Sequence, residues 1–164
     1  MAVLPSYEKQ MSERRGEYEG KHPLMMFWIM AEKKKELHLL RHAESFDDAL
    51  VTVSAHAPKK FRNNIVHDLQ MTSENIVKSI FWANEYRQSD IQACLKYTKQ
   101  AEINIRWMTR RLERARRMEC ITSVEELDLG DKLATVEEYF AGWSDSNIKL
   151  SEELRKEELR KKNL

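Results

Sequence analysis

Turn-forming residues and cysteines are scarce in this sequence. Its 164 residues include only 4 Gly and 3 Pro, and so few turn residues favour long helices over a sheet with many turns. The two cysteines, Cys94 and Cys120, lie far apart and form no C-x-x-C pair, so we expect neither a metal site nor a disulfide. Cys94 falls on the apolar face of a predicted helix, which predicts a buried thiol there. No run approaches the roughly 18 apolar residues that cross a membrane, so we expect no membrane partner.

Motifs for catalysis and for small ligands are also missing. There is no G-x-S-x-G, and neither cysteine has an evident histidine partner. The four glycines are too scattered to form a phosphate-binding loop. His38 and His42 have the spacing of a metal-binding pair, but the stretch lacks the glutamate of H-E-x-x-H and a third ligand. We therefore expect surface histidines, no metal, no cofactor and no catalytic residue.

Charge and helical periodicity are what the sequence has in abundance. Charged residues make up 34% and hydrophobic residues 41%, while the net charge is only +1. Apolar residues recur at steps of three and four, and the connections are short. We predict an all-α fold, an antiparallel up-down four-helix bundle over residues 23–143, with an N-terminal arm over 1–22 and a polar helical tail over 144–164. The N-terminus does not read as a signal peptide, so we expect a cytoplasmic protein.

Local signals divide the bundle into helices. The first begins at Pro23 and is ended by Pro58, with a second start at Ser45 as an alternative. The second covers about 59–86, and the third covers about 90–119. The fourth follows a capping box that opens at Thr122 and ends at Gly142. The predicted inward positions are Leu40, Ala43, Phe46, Leu50, Val53 and Ala57, then Phe61, Ile65, Leu69, Thr72, Ile76, Ile80 and Ala83, then Ile91, Cys94, Thr98, Ala101, Ile105, Met108, Leu112 and Ala115, and last Leu129, Leu133, Val136, Phe140 and Trp143.

A line of cations lies opposite the apolar face of the third helix. At about 100° per residue these side chains project away from the core. Spaced cations on a rigid element suit phosphate binding, and arginines also stack on bases. The alternative is a solvated face with intrahelical pairs, such as those of Glu102 with Arg106 and of Glu113 with Arg116 or Arg117. We call these residues the basic stripe: Lys96, Lys99, Arg106, Arg110, Arg114 and Arg117.

The third and fourth helices carry opposite charge. Residues 96–117 contain eight cations and two acids, while residues 121–145 contain seven acids and one cation. Oppositely charged helices help to fix the pairing of helices in a bundle, and they can also pair between subunits. An oligomer that binds no nucleic acid is therefore the rival interpretation of the same pattern.

Two groups of apolar residues are candidates for docking a partner. Ile103 and Trp107 lie among the cations of the third helix, away from the predicted core. The second group belongs to the apolar run 24–31, whose side chains point in every direction around a helix, so a monomeric bundle covers only part of them. Its docking candidates are Met26, Phe27 and Trp28. Plain burial of this run is the alternative.

Several short signatures over residues 58–143 resemble a known family. They are the run Pro58–Arg62, the helix end Ala83–Tyr86, the basic third helix and the closing Gly142–Trp143. The chain is similar here to the Avd family, the accessory variability determinants of diversity-generating retroelements. That family is related to the four-helix-bundle proteins encoded in intervening sequences of 23S rRNA genes.

The resemblance implies a homopentamer of four-helix bundles with a basic surface and no catalytic residues. Such proteins bind nucleic acid with little sequence preference and associate with the reverse transcriptase of the element. They are needed for mutagenic cDNA synthesis on a template RNA. Carried onto this sequence, the implied nucleic-acid-binding residues are Arg62, Lys96, Lys99, Arg106, Arg110, Arg111, Arg114 and Arg117. The N-terminal arm, the apolar run and the polar tail depart from a compact bundle of this kind.

Overall fold

A computed structural model describes the backbone of residues 23–163 and the side chains of residues 38–163. Its four α-helices are α1 (Pro23–Ser54), α2 (His67–Tyr86), α3 (Ile91–Arg117) and α4 (Ser123–Lys162). A 3₁₀ turn at Lys59–Phe61 and a π-helical turn at Arg62–Val66 join α1 to α2. The bundle described here belongs to the unit Lys35–Leu164. The predicted all-α four-helix bundle is confirmed.

Contacts at the helix ends show that neighbouring helices are antiparallel. Asp68 near the start of α2 meets Arg111 near the end of α3, and Tyr86 at the other end of α2 stacks on Tyr97, with ring centroids 5.8 Å apart. Helix α4 returns along α3 and packs on α1, where the ring centroids of Tyr139 and His42 lie 4.6 Å apart. Short connections impose this order, because they return each helix beside its predecessor.

A single apolar core lies between the four helices. Of the predicted inward positions, only Leu40, Val53, Phe61 and Ile91 are partly exposed. The helical period of three and four residues therefore located most of the core, although in the first helix Leu39, and not Leu40, is fully buried. Cys94 is a buried thiol, as predicted, and Cys120 is buried as well.

The predicted start of the second helix is wrong. Residues 59–66 form the 3₁₀ and π turns, and regular α-helix begins only at His67. Pro58 is extended, with ψ at 136°, and has no N–H to donate. The side chain of Asn64 accepts a hydrogen bond from the N–H of Ile65 at 2.6 Å, and such local bonds compete with regular helix. By contrast α1 is one helix with no break at Ser45, since Ala43, Phe46 and Leu50 share one buried face.

Helix α4 begins as predicted and ends later than predicted. The Thr122 hydroxyl accepts from the N–H of Glu125, and the Glu125 carboxylate accepts from the N–H of Thr122, which completes the capping box. The predicted end at Gly142 is wrong, because α4 continues to Lys162. A helical glycine costs only about 1 kcal/mol, and the buried stripe runs on from Trp143 to Asn147. The domain boundary at 143 stays a prediction.

Candidate nucleic-acid interface

Helix α3 presents the basic stripe on its outer face. Asp90 caps the start of the helix, because its carboxylate accepts a hydrogen bond from the N–H of Ala93 at 3.0 Å. From Ile91 onward the helical period keeps every stripe residue opposite the core. All six side chains are exposed; those of Arg106 and Arg110 are 76% and 74% accessible. Lys96 and Arg117 are 21 residues apart in one helix, so the stripe is about 30 Å long.

Intrahelical ion pairs involve half of the stripe. Glu102 lies 2.7 Å from both Lys99 and Arg106. The pair with Arg106 is one that the interpretation of the stripe as a solvated face predicted. Glu113 pairs with Arg110 at 3.7 Å, and not with Arg116 or Arg117 as that interpretation also predicted. Exposed pairs of this kind contribute only a few tenths of a kcal/mol, so a phosphate can replace them at small cost. In the described range no ion pair involves the other three stripe residues, Lys96, Arg114 and Arg117.

Glu102 remains a carboxylate at neutral pH. The hydrogen bond from Lys99 is the main cause that lowers its pKa; burial opposes it, and the charges of Lys99 and Arg106 each lower the pKa a little further. A group with a lowered pKa in the folded state stabilises that state at neutral pH, and this contribution is lost as the pH falls through the folded pKa. Glu102 therefore moderates the charge of the stripe under physiological conditions.

Two cations of α3 are engaged by neighbouring helices. Arg111 pairs with Asp68 of α2 at 2.7 Å, and its side chain is only 16% exposed. Arg116 pairs with Glu126 of α4. The resemblance implies a nucleic-acid contact for Arg111, but the structure places its guanidinium between α2 and α3, 4.0 Å from the centroid of the Trp107 ring. The partner of each is in another helix, so the sequence of α3 gave no sign of the pairing.

Apolar side chains interrupt the stripe. Ile103 is 57% exposed and Trp107 is 46% exposed, both on the outer face of α3 as predicted. The other docking candidates, Met26, Phe27 and Trp28, lie outside the residues whose side chains the structure describes. Of the two predicted docking groups, the structure therefore describes the exposure of only one, Ile103 and Trp107.

A second basic element lies near the C-terminal end of α3. Burial raises the pKa of the Cys120 thiol, and the positive charge of Lys60 partly offsets this effect, which shows that Lys60 is near the residues that follow α3. Lys59, Lys60 and Arg62 are all exposed in the turns before α2. Sequence reasoning selected Arg62 and missed the two lysines, although they stand in the Pro58–Arg62 signature. The proximity of Lys60 to the residues that follow α3 arises from tertiary packing, which the sequence does not display.

The groove between α3 and α4 is lined in part by acidic side chains, in contrast to the basic outer face of α3. It encloses about 200 Å³, and its lining includes the carboxylates of Glu113, Glu126 and Glu137. Carboxylates repel phosphate, so a nucleic acid on this side of the bundle would follow the outer face of α3 and avoid the groove.

The histidine pair has packing contacts. His42 and His38 both lie beside the Tyr139 ring, with centroids 4.6 Å and 6.3 Å away. Among residues 38–163 no group of three or more His, Cys, Asp or Glu side chains could hold a metal ion. Within the helices described, none is long and apolar enough to cross a membrane.

Comparisons with known proteins assign no family. No protein-family model matches this sequence, and no curated protein matches it. The outer face of α3 is therefore the feature that points to a function.

Proposed function

We propose that this protein is a cytoplasmic, non-catalytic accessory protein that holds RNA, or alternatively DNA, for a partner reverse transcriptase. One observation supports the binding step above all others: six exposed cations follow one face of a single helix over about 30 Å. Each phosphate that such a surface neutralises releases condensed counterions, and this release drives binding with little dependence on sequence.

The identity of the partner comes from the resemblance to the Avd family. In this proposal the protein is a homo-oligomer, a pentamer by analogy, that acts in the mutagenic retrohoming of a diversity-generating retroelement. The four-helix bundle and the basic third helix are compatible with it. A reverse transcriptase gene with a template repeat and a variable repeat beside the gene for this protein would support the assignment.

Replacing three stripe residues tests the binding proposal. We expect Arg106→Gln, Arg110→Gln and Arg114→Gln together to weaken binding to single-stranded RNA at low salt. The slope of log K against log salt should fall by about 0.7 for each phosphate that the variant no longer neutralises, or about 2 in total. Fluorescence anisotropy with a labelled oligonucleotide at several salt concentrations measures both quantities.

A matched control removes three cations from another exposed surface. Arg155→Gln, Lys156→Gln and Arg160→Gln change the net charge by the same amount in the outer part of α4, where all three side chains are exposed. This variant should keep the affinity and the salt slope of the wild type nearly unchanged. Binding that is insensitive to salt, or an equal weakening in both variants, would contradict a specific role of the stripe.

The charge contrast between α3 and α4 supports a second candidate function. Exposed acids line the outer face of α4, at Asp131, Glu138 and Asp145, and this face could pair with the stripe of another copy. In that case the protein is an oligomeric interaction module that binds no nucleic acid. The stripe variant would then dissociate the oligomer in light scattering, and the wild type would show no affinity for RNA or DNA.

A further inference from the structure

The stripe includes an indole ring that is held in place from one side. Trp107 is 46% exposed on the outer face of α3, one turn before Arg110 and Arg111. The Arg111 guanidinium lies over its ring, with Cζ 4.0 Å from the centroid. No other cation or aromatic ring covers this indole among the described side chains.

The guanidinium over the ring is itself anchored. Arg111 donates a hydrogen bond to Asp68 Oδ2 at 2.7 Å, and this bond crosses from α3 to α2. Because the Arg111 side chain is only 16% exposed, it is packed into the surface and is not free to follow a ligand. The cation attracts the electron-rich face of the indole and restricts the ring to one orientation.

We propose that Trp107 is a stacking platform for one unpaired base, so that the stripe prefers single-stranded nucleic acid over duplex. This inference depends on the proposed function. The cations of the basic stripe hold the phosphates of a strand along α3. The exposed indole surface stacks on a base that is unpaired and can unstack from the bases next to it. In a duplex the bases are stacked on each other and cannot reach the ring.

The environment of Trp107 favours a nucleic-acid base over a protein side chain as the occupant. Arg106 and Arg110, on the same helix as Trp107, are more than 70% exposed. Such cations are costly to bury in a protein interface and favourable beside phosphates. Asp68 and Arg111 act as positioning residues, because they fix the ring and do not touch the base.

Removing the ring separates stacking from phosphate binding. We expect Trp107→Ala to weaken binding to a 20-nucleotide oligouridylate about 5- to 100-fold, the usual effect of removing one stacked base. Affinity for a 20-base-pair RNA duplex should change less than twofold. The salt slope should equal that of the wild type, since no cation is removed. Trp107→Phe should retain most of the affinity for the single strand.

Trp82→Ala serves as the matched control. This second tryptophan is 44% exposed on α2, a different helix from the stripe, where it contacts Phe81 and Tyr86. The control should bind both oligonucleotides like the wild type. Asp68→Asn keeps the size of the side chain and removes its charge, and it should reduce the preference for the single strand without changing the salt slope.

Three results would overturn the inference, and only the third would also contradict the proposed function. If Trp107→Ala keeps the wild-type preference for the single strand, stacking is wrong and phosphate binding stands. If it weakens both substrates equally while dissociating an oligomer in light scattering, Trp107 contacts protein. If the wild type binds neither substrate at low salt, the proposed function fails as well.

Discussion

At the scale of single residues, the most unusual group is a buried amide in α4. Asn147 is fully buried, and its Nδ2 donates to the Thr98 hydroxyl of α3 at 3.2 Å. Its Oδ1 accepts no hydrogen bond from the described residues. A buried polar atom without a partner costs about 1–3 kcal/mol. The bond to Thr98 links α4 to α3, and single buried polar residues in coiled coils are known to fix the register of helices at some cost in stability.

Asn147→Leu should therefore leave the free energy of unfolding unchanged or raise it by up to about 1 kcal/mol, because an apolar side chain of similar shape needs no partner. Urea denaturation followed by circular dichroism measures the change. Thr98→Val is the informative comparison, since it leaves the Asn147 amide wholly unpaired and should lower stability by about 1–2 kcal/mol. A marked loss of stability in Asn147→Leu would mean that Oδ1 has a partner in solution.

At the scale of elements, α3 carries both the cations of the stripe and the acids that moderate them. Glu102 pairs with Lys99 and Arg106 at once. We expect Glu102→Gln to raise the affinity for RNA about two- to fivefold at low salt, because one unit charge near the surface is worth about 0.5–1 kcal/mol. Anisotropy titrations of wild type and variant give the ratio.

The control for this prediction is a glutamate with the same kind of partner on another helix. Glu74 pairs with Lys78 at 2.7 Å in α2, so Glu74→Gln changes the net charge equally and releases a lysine outside the stripe. An equal gain in affinity from both variants would show that net charge, and not the stripe, governs binding.

At the scale of the whole molecule, α4 is longer than the core requires. Its last buried side chain is Asn147, and every described side chain beyond Ser151 is exposed. Removal of exposed helix with few apolar contacts changes stability little. A protein that ends at residue 151 should keep its melting temperature within about 2 °C, whereas one that ends at residue 142 should unfold at markedly lower temperature.

Thermal denaturation of both truncated proteins tests whether the part of α4 beyond residue 151 is dispensable for stability. The longer protein should also keep the affinity of the stripe for RNA, because the cations of α3 are unchanged. If truncation at residue 151 lowers the melting temperature strongly, the outer part of α4 makes contacts that stabilise the fold, and the predicted tail is a structural element.

The sequence by itself determined the four amphipathic helices, most of their core positions and the capping box at Thr122. These features arise from interactions between residues a few positions apart, which a sequence displays directly. The same reasoning found the basic stripe and the exposed Ile103 and Trp107. It failed at Gly142, because the buried stripe that carries α4 onward depends on packing against α3.

Only the tertiary structure decided which cations of α3 are held by other helices. Arg111 is indistinguishable from its neighbours in sequence, yet Asp68, 43 positions away, fixes it against Trp107. Glu126 holds Arg116 in the same way, and the burial of Asn147 depends on Thr98. Ion pairs and hydrogen bonds between helices form between residues far apart in the chain, so no local pattern encodes them. Periodicity thus established the helices and the face of the stripe, and packing selected the side chains that remain free to bind.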